Sequence, residues 1–202
     1  SSVVAIALTS LLNAESNVDA TSYTTASVTP SPAALTLVWV FNEKATTPDI
    51  PTIRGNGLTY VQRQTVVATS PLMRATLFVA AAGVPTAGAI TIDFGGVTQT
   101  YCAWMVHSAT GASGIVQSAT AVATAVSNFS IPLAAITGVI NTVIAGCSDK
   151  GGIPNAGTGF TAVNSQTSEL SLRMLTERAY LSTNNNPNFT SNANDWIGIA
   201  AE

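Results

Sequence analysis

Short apolar runs separated by turn residues extend along the whole chain, and this pattern constrains the fold more than any other feature. The runs hold five to nine apolar, β-branched or aromatic residues, and clusters of Gly, Pro, Asn and Ser separate them. Runs of this length are typical of strands. The pattern predicts an all-β, jelly-roll-like antiparallel sandwich with long loops and with strands near 3–9, 22–28, 34–42, 58–68, 72–81, 88–94, 97–108, 114–119, 126–131, 139–147, 158–163, 170–180 and 195–201.

The segment "LSLRMLTERAY" (170–180) fits either a strand or a helix. We favour a strand, because the surrounding pattern is β and because strand geometry divides these side chains into two alternating sets, one on each face. No internal repeat or linker divides the chain. We therefore expect a single β-sandwich domain over residues 1–202, whose N-terminal segment 1–30 extends to contact neighbouring subunits.

Charged residues make up 8% of the chain, about a third of the usual share of roughly 25%. The net charge is −3 and the seven basic residues are scattered, which argues against nucleic-acid binding and a polybasic membrane anchor. Between Arg74 and Asp149 the one charged residue is Asp93, but no run of 18 apolar residues occurs there, so we expect no membrane span. A surface with few charges is typical of a protein whose exterior is covered by neighbours.

The stretch "TYCAWMVHS" (100–108) contains His107, the single histidine of the chain, together with Cys102 and Trp104. Large apolar groups occupy both alternating sets, as expected for a strand buried on both faces. We interpret Cys102 and Trp104 as core residues. His107 is expected near the strand end, where its ring reaches solvent or a backbone carbonyl in a structural role.

The chain offers few groups for metal binding or catalysis. Cys102 and Cys147 are able to form one disulfide, but we favour two buried thiols. A calcium site formed by Asn192, Asn194 and Asp195 is a weaker interpretation than a turn leading into the last strand. We therefore expect no catalytic residue, no cofactor site and no metal site.

Two further local patterns lead to predictions. "FGGV" (94–97) places two glycines between β-rich runs and suits a tight hairpin turn. Asn128-Phe129-Ser130 and Asn188-Phe189-Thr190 match the N-glycosylation pattern, which matters if the chain is secreted through a glycosylating pathway. Asn188 is the better acceptor of the two, because it lies in a predicted loop.

Four stretches carry a resemblance to a known class of proteins: "TSYTTASVTPSPAALTLVWV" (21–40), "GNGLTYVQ" (55–62), "RATLFVAAAGVPTAGAITIDFGGVTQTYCAWMV" (74–106) and "NDWIGIAAE" (194–202). In texture and order they resemble β-sandwich structural proteins of tailed bacteriophages, such as capsid decoration (auxiliary head) proteins. The resemblance implies a virion protein without enzymatic activity. Its partners would be further copies of itself, with a trimer favoured, and the major capsid protein.

Three alternatives remain. The chain is a carbohydrate-binding or adhesion module if Tyr23, Trp39, Tyr60, Tyr180 and Trp196 stack on sugars. It is a subunit of a secreted surface filament or layer if a signal peptide was removed, which would place it on an extracellular surface. It is a hydrolase if a cleft holds two carboxylates about 5–10 Å apart.

Overall fold

The computed structural model describes residues 6–138, 140–166, 172–180 and 184–202. Within these ranges the chain forms fourteen antiparallel strands and no helix. They are β1 Ala7–Ser16, β2 Ser22–Thr24, β3 Ala34–Glu43, β4 Thr52–Gly55, β5 Leu58–Thr69, β6 Leu72–Gly83, β7 Ile90–Asp93, β8 Tyr101–Thr110, β9 Ser118–Ser130, β10 Val143–Lys150, β11 Asn155–Ala156, β12 Thr161–Gln166, β13 Arg173–Ala179 and β14 Asn188–Ala201. The prediction of an all-β sandwich is confirmed, while a jelly-roll strand order stays a prediction.

The strands form two sheets. Sheet I has the order β1-β8-β3-β6-β5-β4-β7-β2, and sheet II has the order β11-β14-β10-β13-β12. Strand β9 pairs with the edge of β14 that β10 does not use, because residues 196–201 of β14 pair with both strands. Strands β1 and β12 meet along one side of the sandwich, and β5 and β9 meet along the other, so the two sheets nearly close on each other.

A central core lies between the two sheets. Trp39, from β3, and Met105, from β8, face Met174, from β13, and Ile199, from β14, and all four are fully buried. Gly146, in the middle of β10, makes room for the indole of Trp39. A Cβ atom at this glycine would lie 2.6 Å from the indole Nε1. The close approach of the two sheets at this point therefore depends on a residue without a side chain.

Each sheet also buries its outer face. Sheet I curves so that β2, β4 and β7 cover the outer side of β3 and β8, and the rings of Tyr23 and Trp104 lie 6.3 Å apart there. On sheet II, the segment that follows β9 covers β10, β13 and β14. In this third cluster Phe129 stacks on Trp196 at 5.5 Å. These three layers explain how a chain of modest size buries most of its apolar residues.

The interpretation of residues 100–108 as a strand buried on both faces is confirmed. Cys102 and Trp104 lie in the outer cluster of sheet I, and Tyr101, Ala103 and Met105 lie in the central core. Strand β8 pairs with β1 on one side and with β3 on the other. The preference for strand over helix near 170–180 is also confirmed for Arg173–Ala179.

Several predicted boundaries are wrong. Strand β4 was not predicted, and the two strands expected at 114–119 and 126–131 are one continuous strand, Ser118–Ser130. Strand β9 consists largely of Ala, Thr and Val, which differ little in hydrophobicity, so its two faces are hard to distinguish in the sequence and its full length was not predicted. The last strand begins at Asn188 rather than near 195. Part of the segment predicted at 3–9 and the N-terminal part of the one at 170–180 fall outside the described residues.

The turn at 94–97 forms as expected, but it does not make a hairpin. Gly95 and Gly96 both have positive φ, and the Val97 N–H donates to the Phe94 carbonyl at 3.2 Å. The flanking strands do not pair with each other. Strand β7 pairs with β2 and β4, whereas β8 pairs with β1 and β3. The two glycines predicted the turn itself. The partners of β7 and β8 depend instead on the curvature of sheet I, which places the two strands apart.

Candidate functional site at the two ends of the sandwich

One end of the sandwich, called the charged end here, is the point at which β1, β3 and β10 finish. Lys150 of sheet II binds Glu43 of sheet I at 2.7 Å, and Lys44 binds Asp49 at 2.8 Å. Strand register places ten of the seventeen Asp, Glu, Lys and Arg residues of the chain towards this end, namely Glu15, Asp19, Glu43, Lys44, Asp49, Arg74, Asp149, Lys150, Arg173 and Asp195. Exterior charge is therefore unevenly distributed on this molecule.

The opposite end, called the pocket end here, contains a hollow between the two sheets. Its volume is about 160 Å³, and its walls are mostly aliphatic: Ile6, Leu8, Leu35, Leu37, Ile115, Val116, Ile140 and Ile144. A second, shallower hollow beside Pro32 and Pro85 shares Leu35 with the first. Among the described residues that line the first hollow, the single ionisable side chain is Glu202. A glycosidase would need two carboxylates, so this hollow does not support the hydrolase alternative.

Four hydrogen bonds hold the Glu202 carboxylate at the edge of the hollow. Oε1 accepts from Thr137 N and Oγ1, both at 2.7 Å, and from Asn141 Nδ2 at 2.6 Å. The Nε2 of Gln117 donates to Oε2. Burial raises the pKa of Glu202, but the hydrogen bonds from Asn141, Gln117 and Thr137 outweigh this and lower it to about 2. Glu202 is thus a satisfied anion that links Thr137 and Asn141 to the end of β14.

His107 does not reach solvent or a backbone carbonyl, so the expected environment of its ring is wrong. The residue is fully buried in the central core, where Nε2 lies 2.9 Å from the Thr176 Oγ1 of the opposite sheet. Its ring meets Trp39 edge-to-face at 5.3 Å. Burial lowers the pKa of His107 to about 3, so the imidazole is neutral at ordinary pH. With one partner and no access, this site supports a structural role.

Sheet II buries two carboxylates that no sequence motif singled out. Glu177 and Asp149 both lie on its outer side and are fully buried, with the Cys147 thiol near both. Burial raises the pKa of Glu177 to about 7, although the Gly157 and Asn188 amides donate to its carboxylate. Burial also raises the pKa of Asp149. The sequence did contain one indication that Glu177 is buried. In a strand, Glu177 lies on the same face as the apolar residues Leu175 and Ala179.

The aromatic residues considered for sugar stacking are not exposed. Tyr23, Trp39 and Trp196 are buried, so their selection as binding residues is wrong. Tyr60 and Tyr180 are half-buried. The Tyr180 hydroxyl accepts a hydrogen bond from Leu8 N at 2.7 Å, and the Arg178 guanidinium lies over its ring. All thirteen aromatic residues lie in the described ranges and none is exposed, so no fully exposed aromatic ring supports the carbohydrate-binding alternative.

Asn194 and Asp195, two of the candidate calcium ligands, bind different partners in the structure. Asn194 Nδ2 donates to Asp149 at 3.4 Å, whereas Asp195 Oδ1 accepts from the amide of Ala125 at 3.0 Å. The preferred interpretation of this segment as a turn is also wrong, since Asn192 to Asp195 lie within β14. Nowhere in the described ranges do three or more His, Cys, Asp or Glu side chains cluster as a metal site would require.

The structure reverses the ranking of the two candidate glycosylation sites. Asn188 begins β14 and is half-buried, whereas Asn128 is exposed on β9, so the expectation that Asn188 lies in a loop is wrong. The prediction of two buried thiols is confirmed, because Cys102 and Cys147 are free and lie in different outer clusters. No disulfide joins the two faces.

The described part of the chain contains no helix with the length and apolarity required to span a bilayer. Comparison with protein-family models, with curated proteins and with solved structures found no match to this chain.

Proposed function

We propose that this chain is a structural assembly subunit, a virion protein of the capsid-decorating type, that acts through contacts between subunits and catalyses no reaction. The observation that carries the proposal is the small number of ionised groups left on its exterior. Charged residues are already scarce, and Glu43, Asp149, Glu177 and Glu202 are buried. Interfaces between subunits are depleted of charged side chains, whereas freely dissolved monomers usually carry many.

The arrangement of the interior supports the same function. Three apolar layers bury the aromatic residues, and neither the single histidine nor either cysteine is accessible. Exposed branched aliphatic residues remain on the outside instead, among them Val18, Val84 and Val116. An exterior with few charges and with exposed aliphatic residues suits repeated packing against neighbours.

Sedimentation velocity of the purified full chain, over a wide range of concentrations, tests the proposal. We expect a defined homo-oligomer, with a trimer favoured, that is present at low concentration. A species that stays monomeric at every concentration would contradict self-assembly.

Whether the assembly is a virion or a surface layer is tested separately, by inspecting the genes that neighbour the one encoding this chain. Capsid, portal and terminase genes in that neighbourhood would support a virion, with the major capsid protein as the second partner. A removable signal peptide in the encoding gene would instead support the surface filament or layer and contradict the virion setting.

A further inference from the structure

One segment on the outer face of sheet II is held there by two buried carboxylates. The segment, called the strap here, is residues 151–160, which lie between β10 and β12 and contain β11. The Gly152 N–H donates to Asp149 Oδ1 at 3.2 Å, and the Gly157 N–H donates to Glu177 Oε2 at 2.9 Å. Two carboxylates of sheet II therefore bind two backbone amides of the strap.

The strap packs closely over Glu177 and keeps its carboxyl from water. Glu177 is fully buried. A Cβ atom on Gly157 would lie 2.1 Å from the Asn188 carbonyl oxygen, so the strap lies directly against β14 at this point. Among the described residues, none donates a hydrogen bond to Glu177 Oε1. An ionised carboxylate in this position has one oxygen that lacks both a donor and water, which is unfavourable.

Few other ionisable groups share this face of sheet II with Glu177. Within the described residues they are Cys147 and Asp149 of β10 and Arg173 of β13. The Arg173 guanidinium lies opposite Asp149 and favours a charge there rather than on Glu177. Strands β11 and β12 contain no ionisable residue, and Asp195 of β14 binds a backbone amide of β9 instead. None of these groups therefore offsets a negative charge on Glu177.

We propose that the strap responds to pH: it stays closed while Glu177 is protonated and opens locally when this carboxyl ionises. Gly151 and Gly159, at the two ends of the strap, have positive φ, a conformation that glycine adopts freely. Backbone pairing of the strap with β14 is limited to Asn155 and Ala156. Lifting the strap between its glycine ends therefore hydrates Glu177 without unpairing the central strands of sheet II. This inference is independent of the proposed assembly function.

Amide hydrogen exchange of the full chain, followed by mass spectrometry between pH 5 and pH 8, tests the proposal. Burial raises the pKa of Glu177 from 4.5 to about 7 in the closed form, and hydration in the open form restores the ordinary value. After correction for the intrinsic exchange rate, protection of the strap amides should fall by about tenfold between pH 6 and pH 8. At every pH it should stay below the protection of the β3 and β8 amides, which exchange through larger openings.

Two variants separate Glu177 from other carboxylates. Glu177→Gln carries no charge, so the protection of its strap should be nearly the same at pH 6 and at pH 8. Glu202→Gln is the matched control. Burial raises the pKa of Glu202, but its hydrogen bonds outweigh this and lower it to about 2, so its charge is constant over this range. The control should keep the wild-type fall in protection, and thermal melting at pH 6 checks that both variants fold.

Three results would overturn the proposal. The first is strap protection in the wild type that does not change with pH, a measurement that needs no variant. The second is equal protection of the strap and of β3 and β8, which would mean that the strap opens only when the whole molecule unfolds. The third is a fall in protection that persists in Glu177→Gln or disappears in Glu202→Gln, because the pH response would then not come from Glu177.

Discussion

The imidazole of His107 and the hydroxyl of Thr176 meet at 2.9 Å across the central core and join sheet I to sheet II. Both side chains are fully buried among apolar residues. A polar contact in such surroundings contributes little when it is complete and becomes costly when one partner is lost. An arrangement of the two sheets that separates this pair is therefore disfavoured, because it leaves a buried polar group without its partner.

Replacing Thr176 by valine is expected to destabilise the protein by about 1–3 kcal/mol, because the His107 Nε2 is left buried without its partner. Urea unfolding followed by tryptophan fluorescence measures the change. Thr59→Val, at an exposed position of β5, is the control and should stay within about 0.5 kcal/mol of wild type. A Thr176 variant as stable as this control would show that the contact does not stabilise the fold.

The pH dependence of stability should carry a contribution from Glu177. Burial raises its pKa from 4.5 to about 7, so its contribution is fully present below pH 4.5 and is lost as the pH rises to about 7. The loss is on the order of 3 kcal/mol. Glu177→Gln, which has no charge to bury, should remove this decline. Unfolding at a series of pH values measures it, and an unchanged profile would contradict the burial argument.

His107 should act in the opposite direction at acid pH. Burial lowers its pKa from 6.5 to about 3, so its contribution is fully present above pH 6.5 and is lost as the pH falls towards 3. The effect is on the order of 5 kcal/mol. Between about pH 4.5 and 6.5 the two groups oppose each other. His107→Gln should therefore flatten the acid side of the profile, and Glu177→Gln the neutral side, so that each variant serves as the control for the other.

Gly146→Ala should destabilise the protein by about 1–3 kcal/mol, because the added methyl group collides with the indole of Trp39. Gly114 is the matched control, since a Cβ atom there meets nothing within 4 Å. Gly114→Ala should be neutral or slightly stabilising. Combining Gly146→Ala with Trp39→Phe should give less than the sum of the two single effects. Strict additivity in the double variant would contradict the proposed collision.

Neither thiol of the native protein should react with a soluble disulfide reagent. Cys102 and Cys147 are fully buried, and burial raises the pKa of both. Ellman's reagent should find both thiols after denaturation and almost none before it. Rapid reaction of either thiol in the native protein would show that its outer cluster is open to solvent.

The sequence predicted those features that depend on local periodicity. Continuous apolar runs indicated that β3 and β8 are strands, and alternation favoured a strand for β13. The apolar character of both faces of residues 101–106 placed them in the core. Paired glycines predicted the turn at 94–97. These features follow from the side-chain period of a strand and from the conformational freedom of glycine, both of which operate within a few residues.

Other features depend on which strands become neighbours, and local patterns do not specify this. Trp196 and Tyr23 resemble exposed aromatic residues in the sequence, but the segment after β9 and the curvature of sheet I bury them. Glu177 and Asp149 stand among polar neighbours in the sequence and are buried by loops that pack on sheet II. The pocket end likewise joins residues far apart in the chain, such as Leu35, Ile115 and Glu202.

By itself, the sequence determined an all-β chain with few charges and buried thiols, because composition and strand period are properties of neighbouring residues. The tertiary structure alone decided that His107 meets Thr176, that Gly146 accommodates Trp39, and that the Lys150–Glu43 ion pair and the aliphatic hollow lie at opposite ends. These relationships arise from pairing between distant strands, whose register is set by the packing of the whole core.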